Sequence, residues 1–207
     1  MARSVQLASD ARPRPHGDAT LIADADHFRT VVLDGICRAE TSIDIMTADF
    51  KAMLVPTSVP TRKGRGSSPR IHLWAQRAKS IVQIFRALAD AGVEIRLLHA
   101  GVPSSAALRE LKQSLPRNLT IRRCPRLHAK AVLIDSRRMY LGSANLTGAG
   151  LGAKADGKRN FELGIWTESP SLIDAVSDHF NTLWEGRACP TCKHRDICPV
   201  PLEEPAL

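Results

Sequence analysis

His128-Ala-Lys-Ala-Val-Leu-Ile-Asp-Ser-Arg-Arg-Met-Tyr-Leu-Gly-Ser-Ala-Asn145, or HAKAVLIDSRRMYLGSAN, is the stretch from which the rest of the chain is read. Two apolar runs, Ala131–Ile134 and Met139–Leu141, enclose Asp135, Ser136, Arg137 and Arg138. That pattern predicts two strands joined by a hairpin turn. Residues two apart in an extended segment point to one side, so His128 and Lys130 share a side. Ser143 and Asn145 repeat the spacing on the returning segment and come back to the same end. The residue types suit displacement at phosphorus. A phosphodiester repels anionic nucleophiles, whereas a neutral imidazole can attack it and hold it covalently, splitting one displacement into two. Lys130 can neutralise a non-bridging oxygen, Ser143 and Asn145 can donate hydrogen bonds to the same phosphate, and Gly142 would allow close backbone approach.

The whole stretch follows H-x-K-x4-D-x6-G-S-x-N, and in this the chain resembles the phospholipase D superfamily. An isolated H-x-K would read as ordinary strand residues; here every other element is in register. The resemblance spans about Leu21 to Trp184 and is strongest over 128–145. It implies an α/β fold, a mixed β-sheet flanked by helices, and phosphodiesterase chemistry without a metal ion. It also implies a structural or histidine-supporting role for Asp135, which ends its strand away from the phosphate. Asn160 and Glu162 resemble the polar residues that follow the motif in the family. Such chemistry needs a nucleophile and an acid, which the family supplies as two histidines. None of His16, His27, His72, His99, His179 and His194 begins a second H-x-K, so the expectation is a twofold homodimer sharing one site. A small single-motif chain of this kind resembles the nucleases of the superfamily and the phospholipase D-like component of deazaguanine-DNA restriction clusters.

Outward from the motif, helices alternate with strands, the pattern of a layered α/β domain. Helices are expected at about 26–39, capped by Asp24 or Asp26, and at 75–91, 104–115 and 171–184. Strands are expected at 42–47, 93–99, 119–123 and 161–167, besides the two in the motif. The prolines of residues 1–19 mark a loose tail. Residues 20–186 form the phosphodiesterase domain and 187–207 a C-terminal metal-binding appendage. No internal repeat is visible.

The net charge is +8, which favours polyanionic partners. Basic residues gather where the active end should lie: Arg62, Lys63, Arg65 and Arg70 in a long loop at 51–70, then Arg122, Arg123 and Arg126, then Lys154, Lys158 and Arg159. Arg62, Lys63, Arg65 and Arg126 are the candidate substrate contacts. Aromatic residues are only 4%, too few for a broad base-stacking platform. No apolar run approaches the roughly 20 residues of a membrane span, and the N-terminal residues lack the apolar block of a secretory signal. The expectation is a cytoplasmic enzyme acting on nucleic acid, DNA in particular, with other subunits of a restriction assembly as possible partners. Two alternatives use the same residues: a phospholipid hydrolase or transferase, and a nucleic-acid-binding subunit with conditional cleavage.

Residues 189–199 read CPTCKHRDICP. In a reducing compartment, Cys189, Cys192 and Cys198 at this spacing suggest metal ligation rather than disulfides. The segment resembles the C-terminal cysteine motif of Cas4-like nucleases, which implies a [4Fe–4S] cluster, with zinc as the alternative. Cys37, Cys124, His179 and His194 are candidates for the fourth ligand. Strand directions choose Cys124: the last helix must return to the active end, and Cys124 lies four residues before His128. Cys37 precedes an outgoing strand and belongs at the opposite end.

Overall fold

The structure, a computed structural model, describes residues 19–55, 80–113, 115–194 and 197–198. Its strands are β1 (Ala19–Ala23), β2 (Ser42–Thr47), β3 (Glu94–His99), β4 (Leu119–Arg123), β5 (Ala131–Ile134), β6 (Arg138–Gly142) and β7 (Leu163–Thr167). They form one sheet in the order β1-β7-β6-β5-β2-β3-β4. β2, β3 and β4 run parallel; the other neighbours are antiparallel. Helices α1 (Ile81–Asp90), α2 (Ser105–Gln113) and α3 (Pro170–Trp184) complete the mixed, helix-flanked sheet that the sequence predicts.

Alternation along the strands divides the core in two. Ile43, Ile45, Val132, Ile134 and Tyr140 face α1 and the helical segment at Phe28–Leu33. Met46, Leu98 and Ala131 meet Phe180 and Trp184 of α3, and Leu133 and Met139 meet Ile173. All four residues of β5 are buried, because the strand is central and covered on both faces; each large side chain so buried contributes about 1.5–3 kcal/mol. α1 starts where the Ser80 side chain accepts the Gln83 N–H (3.2 Å), a cap that satisfies an otherwise orphaned donor. It stops at Gly92, whose φ of +99° suits glycine.

Register then fixes the functional end. Ala131 pairs with Met46 and Leu141, Thr47 with His99, His99 with Arg123, and Ala23 with Leu163. The last residues of β1, β2, β3, β4 and β6 thus share one end of the sheet with the first residues of β5 and β7.

Several local expectations are corrected. The helix expected over 26–39 is broken into a wide π-type segment, Phe28–Leu33, and a 3-10 turn, Ile36–Arg38. Between them, a Cβ on Gly35 would stand 2.5 Å from the Val31 carbonyl and 2.8 Å from Ile134 Cδ1. Close packing on β5 therefore sets the shape. Neither Asp24 nor Asp26 caps the segment; its cap position is His27, without a side-chain capping bond. β7 begins at Leu163 rather than at 161. The edge strand β1 was not anticipated: four of its five residues are not buried, so it carries no alternation to read. Most of the basic loop, and residues 75–79 of the second expected helix, lie outside the described residues. Among the described residues, no helix is long and apolar enough to cross a membrane.

Candidate active site

Lys130 immediately precedes β5, and its carbonyl accepts the Gly142 N–H (3.1 Å), extending the β5–β6 ladder. Its ammonium donates to the His128 carbonyl (2.8 Å) and lies 3.3 Å from both ring nitrogens of His128. Lys130 is only 8% exposed. Among the described residues no carboxylate forms an ion pair with it. A buried cation without a counter-charge is costly, and the arrangement suits an anion that arrives beside His128.

Ser143 follows β6. Its hydroxyl donates to the Glu162 carboxylate and accepts the Leu163 N–H (3.1 Å). Glu162 is buried and also accepts from the Asn160 side-chain amide (2.9 Å). Its own N–H donates to the Asp24 carboxylate (2.9 Å), and the Asp24 N–H donates back to the Glu162 carbonyl (2.9 Å). Asp24, at φ +44°, so clamps the start of β7 across 138 residues of sequence. That is a contact no local pattern could announce.

Asn145 is used differently from Ser143. Its Oδ1 accepts the Ala48 and Asp49 N–H groups, both at 3.1 Å, and lies 3.3 Å from the Thr47 hydroxyl. The oxygen is therefore spent on the end of β2, and only the NH2 end can serve a phosphate. The Thr47 hydroxyl accepts the Leu146 N–H (2.9 Å) and locks the same junction. Among the described residues, Ser143 has Glu162 as a built-in acceptor, and the NH2 group of Asn145 has no hydrogen-bond partner.

Asp135 lies at the opposite end of β5. Its carboxylate accepts the N–H groups of Glu40 (3.0 Å), Thr41 (2.8 Å) and Ser42 (3.1 Å) and the Thr41 hydroxyl (3.0 Å), with Arg138 at 3.7 Å. Burial pushes its pKa up, but the Thr41, Ser42 and Glu40 hydrogen bonds reverse this and leave it below the usual carboxylate value. Of the two roles the resemblance implies, these contacts serve the structural one, tying the hairpin to the entry of β2.

Of the basic candidates, Arg122 stacks on Trp184 (4.7 Å) and donates to its carbonyl (2.9 Å). Arg123 donates to the Ala100 carbonyl (3.0 Å). Both are part of the framework. Lys154 and Lys158 are exposed, and Arg159 pairs with Asp156. Arg126 reaches the Cys192 sulfur (3.5 Å). Arg62, Lys63, Arg65 and Arg70 lie outside the described residues.

The cysteines divide as the strand directions require. Cys37 is buried in the 3-10 turn, and burial pushes its thiol up to about 12. Beside it the Asp34 carbonyl accepts from Arg138, which opens β6 at the end away from His128. Cys124 follows β4; its N–H donates to the His99 carbonyl (2.8 Å), and its carbonyl accepts from Leu127 (2.9 Å), shaping the turn into His128. The Arg126 guanidinium is held more strongly protonated by Cys192 first and by Cys124 to a lesser degree. Cys189 and Cys192 share a turn closed by a 3.0 Å backbone bond, and the Cys198 N–H donates to the His194 carbonyl (2.9 Å). His179 is part of α3. Among the described residues, no three histidine, cysteine or carboxylate side chains are gathered closely enough to hold a metal ion.

A mixed sheet with H-x-K and G-S-x-N at one end defines a phospholipase D-like protein. Residues 32–184 match the family described as "Cardiolipin synthase, PLD-like domain", and the chain belongs to this phospholipase D-like family. It is similar in fold to NucT from Helicobacter pylori, at 14% identity and a TM-score of 0.55 over 81% of this chain and 96% of that one. It is also similar to Nuc from Salmonella typhimurium, a phospholipase D family member, at 18% identity and a TM-score of 0.52 over 81% and 95%. None of the curated proteins matches.

Proposed function

We propose that the chain is a phosphodiesterase that cuts nucleic acid, DNA in particular, without a metal ion and through a phosphohistidine at His128. The observation that carries the proposal is the buried Lys130 ammonium, set against the His128 ring with no carboxylate among the described residues to neutralise it. The unprotonated ring nitrogen of His128 attacks phosphorus as the bond to the leaving oxygen breaks, and that oxygen takes a proton from an acid. Water then gives a proton to that same group, now unprotonated, and attacks the phosphorus as the P–N bond breaks, regenerating the imidazole. Lys130 and the Asn145 NH2 group neutralise and orient the non-bridging oxygens. Ser143, drawn toward Glu162, lines the same end.

The acid in this reading is His128 of the partner subunit, in a twofold dimer. Support comes from the single H-x-K motif and from the surface beside the site. Phe161 (96% exposed) and Leu163 are large apolar side chains left in solvent beside Glu162, and Leu21 is a third on the adjacent strand. Leu21, Ala23, Leu163 and Ile165 share one sheet face by register. A second copy seated there brings a histidine to the site and covers the strip. Exposed Arg126 and the loop bearing Arg62, Lys63 and Arg65 meet the backbone of the substrate, giving recognition largely independent of sequence. Digestion of DNA, RNA and anionic lipid side by side, in chelator, tests the substrate class. Cleavage of nucleic acid lost in His128→Ala supports the reading, and cleavage of lipid alone overturns it.

The reading also includes a metal centre on Cys124, Cys189, Cys192 and Cys198, a [4Fe–4S] cluster or else zinc. Since the thiols are not gathered in the structure, the 189–198 turn must close as the ion binds, coupling ligation to local folding. A cytoplasmic setting, with reduced thiols, and a role in DNA restriction complete it.

A further inference from the structure

Tyr140 is the one tyrosine of the chain and is 1% exposed. It lies in β6 opposite Trp166, with its ring between the backbones of two glycines. A Cβ on Gly164 would stand 2.3 Å from the ring, and one on Gly142 would stand 2.5 Å from the hydroxyl oxygen. Gly142 is therefore required by Tyr140 and by the neighbouring strand, whose Gly164 Cα would be 2.6 Å away, whatever further room it leaves for a phosphate. Having passed Gly142, the hydroxyl accepts the Ala144 N–H at 2.9 Å. Ala144 is buried and sits between the two residues of the G-S-x-N motif that face the site. The His27 ring meets the Tyr140 ring in a T-shaped contact, at 5.3 Å between centroids and an interplanar angle of 83°. Burial first, and Glu162 in addition, keep the phenol protonated to about pH 12.

We infer that Tyr140 is a positioning residue for the phosphate site: by holding the Ala144 N–H, its hydroxyl fixes the turn that presents Ser143 and Asn145 beside Lys130. The inference rests on the reading of that end as a phosphate site. The ring fills the space that the two glycines vacate, while the hydroxyl alone reaches the turn, so the two contributions separate in Tyr140→Phe. That variant keeps the packing and leaves a buried N–H without its acceptor. The turn can then relax, moving the Asn145 amide, whose oxygen is anchored to Ala48 and Asp49.

Inorganic phosphate is the probe, its binding followed by NMR alongside steady-state cleavage of an oligonucleotide. Tyr140→Phe is expected to weaken phosphate binding about tenfold, equivalent to about 1.4 kcal/mol, and to lower kcat by at least as much while KM changes little. Ile173→Val, which thins the packing under α3 away from the site, provides a destabilised control that keeps kcat. A folded Tyr140→Phe with wild-type phosphate affinity and kcat overturns the inference. So does rapid hydrogen exchange of the Ala144 amide in the wild-type protein, a measurement that needs no variant to fold. If Lys130→Ala binds phosphate as well as wild type does, the phosphate-site reading itself fails, an outcome distinct from failure at Tyr140.

Discussion

The Lys130 ammonium lies 3.3 Å from each ring nitrogen of His128 and 2.8 Å from its carbonyl oxygen, beneath the surface and without a carboxylate partner among the described residues. A side chain so placed favours function at some cost to stability. Lys130→Met keeps the length and removes the charge. It should lower kcat by about two to three orders of magnitude, as loss of a single transition-state donor does. The same variant should melt about 2–4 °C higher, the shift for about 1 kcal/mol in a chain of this size. Calorimetry checks it: a lower melting temperature would mean that the ammonium is satisfied in the folded protein.

Asp135 predicts a pH dependence of stability. Its folded pKa lies below its unfolded value of about 3.9. A depressed carboxylate stabilises the fold fully above the unfolded pKa, and that contribution is lost as pH falls through the folded pKa. Asp135→Asn tolerates the positive φ but loses the charge that holds the N–H groups of residues 40–42. It should be less stable than wild type by about 1–3 kcal/mol at neutral pH. The gap should begin to narrow below about pH 3.9 and close only once pH has fallen through the lower folded pKa. Denaturant titrations at pH 7 and pH 3 measure it; a gap of equal size at both would contradict the assignment.

Phe161→Asp should convert dimer to monomer and abolish cleavage, although Phe161 touches no reacting atom in this account. Light scattering should give twice 22.6 kDa for wild type and 22.6 kDa for the variant. Mixing His128→Ala chains with wild type should depress activity beyond dilution. A monomer of full activity contradicts the shared site.

The thiols should separate by reactivity. Cys37, raised to about 12 by burial, should resist alkylation at pH 7.5 in the folded protein, whereas Cys124, Cys189, Cys192 and Cys198 are partly exposed and should react. Loading with iron and sulfide, or with zinc, should protect those four together, and Cys124→Ser should lose the protection of the remaining three. Four thiols that react equally fast with and without metal would exclude a metal centre.

The motif was legible because its spacing carries strand period, turn and chemistry at once: β2, β4 and β5 fall where their apolar patterns place them. What escaped was tertiary. β1 is an edge strand with one buried residue, so it shows no alternation. The helix at 26–39 breaks because Gly35 must lie against Ile134, a contact between residues far apart in sequence. The clamp from Asp24 to Glu162 and the use of Asn145 Oδ1 by β2 are also long-range. The crowding of Gly142 by Tyr140 and Gly164 likewise depends on strand pairing. Strand direction did place Cys124 and Cys37 at opposite ends, since it follows from topology alone.

The central claim is a covalent phosphohistidine at His128. Wild-type protein mixed with excess oligonucleotide in EDTA, quenched in alkali within one turnover and digested for mass spectrometry, should yield the peptide containing His128 with a phosphoryl-linked nucleotide on the imidazole. The adduct should be absent from His128→Ala, which should not cleave. Cleavage by His128→Ala at the wild-type rate, or cleavage by wild type only when magnesium is supplied, would contradict the account.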